Sequence, residues 1–154
     1  MNIQDIHDTF KDISEAVPGI QSFAFGWPFD RVRGNDPESG TEALFPRVFF
    51  AVPTATQDTV RQQDTYTVQL FFDGLQGYGN DGETTSATQL GQWAALQSLA
   101  ALWVQEFRSR HLERATNAMA VTGTVTQGFD SFTGAQRMAT VTLTFQITVT
   151  AACS

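Results

Sequence analysis

The sequence predicts an α+β fold: a mostly antiparallel sheet with an N-terminal helix and one long helix packed on one face. Three observations predict it. Residues 119–150 alternate apolar and polar at a period of two, in two long runs joined by a short turn, which is the pattern of a hairpin with one buried face. Ile3, Ile6, Phe10, Ile13 and Val17 recur at the three-and-four spacing of a single helical face. A second helical run, from Ser86 to about Ala115, places Trp93, Leu96, Ala100, Trp103 and Phe107 on one side with Leu99 alongside.

In chain order, the first helix carries Asp5, Asp8, Asp12 and Glu15 off its apolar stripe and stops at Pro18-Gly19. Ile20 to Phe25 predicts a short strand. Residues 26–43 hold two prolines, three glycines, Trp27, Phe29 and mixed charges, and predict a long loop or arm. Connections of this length are functional or disordered as a rule, and two aromatics favour contact with a partner. Leu44 to Val52 predicts an apolar strand in which Pro46 marks an edge or a start. Pro53 to Val60 is expected to turn the chain. In the strand Thr65 to Asp73, Tyr66, Val68, Leu70 and Phe72 face one way and Thr67, Gln69 and Phe71 the other. Gly74 to Thr85 is a glycine-rich loop, and Thr85 or Ser86 caps the long helix. That helix, about 40 Å long at ~1.5 Å per residue, matches a twelve-residue strand.

The final hairpin has an unusual outer face. Ala139, Val141, Leu143, Phe145, Ile147 and Val149 point one way, whereas Thr140, Thr142, Thr144, Gln146, Thr148 and Thr150 point the other. On the preceding strand Met119, Val121, Gly123, Val125, Gln127 and Phe129 alternate with Ala120, Thr122, Thr124 and Thr126. A solvated face usually carries Lys and Glu, and a core face carries no rows of hydroxyls. A neutral face of β-favouring residues predicts a surface that meets other protein or lines a passage. Phe129 and Phe132 are placed at the hairpin tip, within reach of a partner.

Composition narrows the function classes. The 154 residues fit one domain spanning 1–154, with a loop at 26–43 and a C-terminal hairpin at 119–150; a chain of this size buries roughly 70% of its unfolded surface. A net charge of −7 with one lysine, Lys11, opposes a nucleic-acid grip, because phosphate binding needs clustered cations. The one cysteine, Cys153, points to synthesis in a reducing cytoplasm, and no signal peptide is visible. Leu90 to Val104 is interrupted by Gln92, Gln97 and Ser98 and is too short to span a bilayer.

Signals for chemistry are weak. His7 and His111 read as surface histidines without ligand spacing. Residues 77–83 lack both the Gly-Lys-Ser/Thr ending of a phosphate loop and the distal Glu of a calcium loop. Ser131 has no nucleophile elbow. No catalytic residue, cofactor or metal is expected. Arg31 and Arg33 are candidates for contact with acidic surfaces of neighbouring copies, while Arg108, Arg110 and Arg114 also offset the helix macrodipole.

The order of an N-terminal amphipathic helix, strands Leu44–Val52 and Tyr66–Phe72, the helix Ser86–Ala115 and the hairpin Met119–Val149 resembles the tail terminator and tail-completion proteins of the necks of long-tailed bacteriophages. The resemblance implies a structural virion protein, not an enzyme. It implies a homo-oligomeric ring, a hexamer as a rule, that caps the tail tube and ends its polymerisation. Its implied partners are further copies, the tail tube protein and a head-side connector or stopper, in a tail or neck assembled in the host cytoplasm. DNA would pass through without specific binding, and no membrane is involved. Trp27, Phe29, Arg31, Arg33, Phe129 and Phe132 are then partner-interface candidates. Thr140, Thr142, Thr144, Gln146 and Thr148 line the lumen or an inter-subunit contact. One alternative is a tail tube, neck or baseplate subunit. An alternative of another class is a small α+β ligand-binding module or enzyme with Tyr66, Trp93 and Trp103 around a pocket.

Overall fold

The structure is a computed structural model that describes residues 2–32, 44–75, 86–113, 119–133 and 137–150. Backbone alone is described for Val32, 86–88, 111–113, 119–123, 131–133, Arg137 and Thr150. The expected α+β fold is present, with an N-terminal helix, one long helix and a six-stranded, mostly antiparallel sheet.

Helix α1 (Ile3–Ala16) begins with a reciprocal cap, in which Asn2 Oδ1 accepts from the Asp5 amide and Asp5 accepts from the Asn2 amide. It ends at Val17, and the chain reverses through Gly19 at φ +97°, a left-handed angle that glycine adopts without strain. A Cβ there would stand 3.0 Å from Leu99, so the residue is also small because the second helix passes close by.

Strand β1 (Ser22–Gly26) pairs in parallel with β2 (Arg47–Ala51), the exception in a mostly antiparallel sheet. Parallel neighbours need a long crossover, and the stretch after Gly26, which includes the 3₁₀ turn Pro28–Val32, supplies it. Pro46 immediately precedes β2, so its role is that of a strand start. All five β2 residues are buried, as befits a strand covered on both faces.

The segment expected to turn the chain instead contains β3 (Thr54–Asp58), which pairs with β4 (Gln63–Leu75). Phe50 sits opposite Leu70 and Thr54 opposite Thr67, so one extra residue is accommodated at Val52-Pro53. Proline cannot donate to a ladder, and a bulge is where it is tolerated. Thr59 to Gln62 then form the turn, with Asp58 Oδ1 accepting from the amides of Val60 and Arg61 at 3.0 Å each.

Helix α2 (Ser86–Glu113) crosses to β5 (Met119–Thr133), which returns as β6 (Arg137–Thr150). The strand order is β1-β2-β4-β6-β5, with β3 also on β4. Among the described residues β5 is therefore an edge. Its alternation is interrupted: Thr122 faces Gln146 but Thr126 faces Thr144, so β5 carries two extra residues there and keeps its faces in phase.

Both helices lie on the face made by Val48, Phe50, Tyr66, Val68, Leu70, Phe72 and alternate β6 residues from Ala139 to Val149. Phe10 of α1 meets Phe50 and Trp103 edge-on at 5.0 and 5.1 Å. Trp103 stacks on Phe107 at 5.6 Å and donates its indole N–H to Ser14 Oγ at 3.0 Å. That bond ties the two helices together inside the core. No helix among the described residues is long and apolar enough to cross a membrane.

Candidate functional site

The sheet face away from the helices is built in rows by register. Thr56, Thr65 and Thr148 lie side by side, then Thr54, Thr67 and Gln146, then Gln69, Thr144 and Thr126, then Phe71, Thr142 and Gly128. None of these carries a charge. Gln146 is exposed and Thr142, Thr144 and Thr148 are half-buried, so the predicted neutral surface exists on these strands.

At one end that face is closed, which corrects two expectations. Arg31, proposed as a partner contact, is buried: its guanidinium donates to Asp73 Oδ1 at 2.6 Å and Oδ2 at 3.2 Å and to Thr140 Oγ1 at 3.0 Å. Thr140, proposed for the lumen or a subunit contact, is 1% exposed and donates to Asp73 Oδ1 at 2.8 Å. Arg47 adds a third partner, donating to Asp73 Oδ2 at 3.2 Å. Arg31 also lies 3.7 Å over the Phe71 ring, where a cation meets the negative face of the aromatic system. Beside this cluster Ala24, Phe49 and Ala51 form a small second core. The 3₁₀ turn is thus clamped onto the outer face, and a buried carboxylate with two guanidiniums is a fixed structural element. Two oppositely charged residues set among apolar neighbours in their strands, Arg47 and Asp73, were the available signal for it.

The remaining candidates separate. Trp27 and Phe29, on or beside the clamped turn, are 55% and 60% exposed, and Trp27 is held by Asp30, whose Oδ2 accepts from its amide at 2.9 Å. Arg33 lies outside the described residues. Phe129 is not at a tip. It lies within β5, 47% exposed, with its ring 6.2 Å from Trp93 and nearly perpendicular to it. Phe132 pairs with Met138 in the ladder, and its side chain lies outside the description.

A surface that sequence reasoning missed is the outward side of α2. From Ser86 to Gln105 the helix has no charged residue, and Leu90, Ala94, Ala95, Ala101 and Leu102 are exposed. A solvated helix normally carries charges on this side. Next to it runs an open groove of about 370 Å³ lined by Ala101, Val104, Gln105, Arg108, Val125 and Gln127. The first charges of the helix come later, where Arg110 donates to Glu106 at 2.8 Å.

No protein-family model and no curated protein matches this chain. The geometry therefore carries the reading.

The residues expected around a ligand pocket separate as well. Trp103 and Tyr66 are core residues, 1% and 9% exposed, and are absent from the grooves seen among the described residues. His7 is not a free surface residue: its ring sits edge-on to Phe23 and Phe25 at 5.4 and 5.5 Å. Its Nδ1 contacts Asp8 at 2.9 Å. This contact, with a hydrogen bond from Gln4, holds the Asp8 carboxyl below the usual aspartate value. The other described residues of the groove beside His7 are Ile3, Gln4 and Phe25, none of them a nucleophile. Among the described residues no three His, Cys, Asp or Glu side chains gather as a metal site.

Proposed function

We propose that this chain is a structural subunit of a ring that caps a phage tail tube, ends its polymerisation and joins the tail to the head-side neck. The observation that carries the reading is the pair of extensive uncharged faces, one on the sheet and one on α2, borne by a chain of net charge −7. Copies of an acidic protein repel each other, and the repulsion is least where the surfaces that meet lack carboxylates. The element order is that of the tail-terminator resemblance. A neutral-to-acidic lumen suits DNA transit, since it leaves phosphate ungripped. Tail tube and head-side connector proteins are the partners of this reading, and the virion neck its location.

Sizing with light scattering across a concentration series tests it. A discrete ring of about six copies supports the reading, and a strict monomer at high concentration overturns it. The edge of β5, fifteen residues long and without a further strand among the described residues, favours one alternative, a tube or baseplate subunit whose sheets continue from copy to copy. Negative stain separates the two: single rings mark a terminator, stacked tubes a tube protein.

A further inference from the structure

We infer that the ring contact is heterologous, with the outward side of α2 in one copy lying on the open sheet face of the next. This rests on the ring reading above and names the surfaces that meet in it.

The two faces lie on opposite sides of the molecule. α2 buries Leu96, Ala100, Trp103 and Phe107 against the inner sheet face, so Ala94 and Ser98 point away from the sheet, with Ala101 at the rim of the groove beside β5. The Thr65, Thr67, Thr144 and Gln146 positions point away from the helices. Two different faces on opposite sides can join copies head to tail, which makes a ring where the rotation from copy to copy closes.

Charge also matches. The uncharged stretch of α2 from Gln89 to Gln105 spans about 25 Å at ~1.5 Å per residue. The open, uncharged part of β4 runs from Thr65 to Gln69, about 16 Å at ~3.3 Å per residue, because Arg31 covers the Phe71 ring. Charged residues bound the sheet band, with Asp58 at one end and the Arg31–Asp73–Arg47 cluster at the other. A helix that crosses the band between those bounds meets no charge. A basic or acidic foreign partner would find nothing there to select it, whereas a second copy supplies the matching neutral face. Small side chains on α2, at Gly91, Ala94, Ala95, Ser98 and Ala101, let a helix approach a threonine surface closely, repeating outside the layer the helix-on-sheet packing found inside it.

Cysteine cross-linking tests the contact. In a Cys153→Ser background, Ala101→Cys and Thr144→Cys are made singly and together. Opposite faces prevent a disulfide within one chain, so mild oxidation of the double variant should yield a ladder of linked copies, with each single variant at least about tenfold less linked. Ala94→Glu, with unchanged circular dichroism and melting, should raise the concentration needed for assembly by at least about tenfold. Linked dimers from Ala101→Cys alone would show helix meeting helix and overturn the inference. A wild-type ring that gives no ladder overturns it too and leaves the ring standing. A wild-type monomer at every concentration overturns both.

Discussion

At the scale of residues, the most consequential feature is the carboxylate of Asp73, 0% exposed and shared by Arg31, Arg47 and Thr140. Removing one member of such a group leaves buried charge uncompensated, which costs about 3–5 kcal/mol. Asp73→Ala should therefore lower the melting temperature by roughly 10 °C, measured by calorimetry. A change within a degree would mean that solvent reaches both guanidiniums. Asp58 makes a gentler prediction. The Arg61 amide, then that of Val60, bonds its carboxylate and holds its pKa below 3.8. A folded pKa below the unfolded one gives stability that is present above 3.8 and lost as pH falls through the folded value. The Asp58 carboxyl should titrate below 3.8 by NMR in the folded chain, and Asp58→Ala should flatten the acid limb of the stability curve.

At the scale of elements, what the sequence made legible followed from periodicity. α1, α2 and the hairpin announce themselves because each buries one continuous apolar stripe, such as Ile6, Phe10 and Ile13. β3 was hidden because all five of its residues are exposed, so no apolar alternation marks it, and Pro53 argued for a turn. The parallel β1–β2 pair was hidden because strand direction depends on a connection, not on local pattern. The clamp of the 3₁₀ turn on Asp73 joins residues 42 apart in sequence, beyond any local signal. The sheet order gives a further prediction. β4 and β6 are paired on both sides, whereas β5 is an edge. Amide exchange should be slowest in the centre of β4 and β6, and the outward amides of β5 should exchange far faster in the unassembled chain. Uniform protection across β5 in a dilute monomer would contradict this order.

At the scale of the whole molecule, charge decides between two kinds of assembly. Sixteen carboxylates against nine cations give each copy −7, so bringing copies together costs repulsion that salt screens over about 10 Å at ~0.1 M. A contact between the neutral band of the sheet and the uncharged side of α2 contains no ion pair for salt to weaken. Raising salt from about 0.02 M to about 0.5 M should therefore lower the concentration at which rings form, as measured by light scattering. Acidification towards the isoelectric point near 4.6 should act in the same direction, because it removes the same repulsion. Assembly that weakens with salt would require charged pairs in the contact, and would transfer the interface to Arg61, Arg108 or another exposed cation.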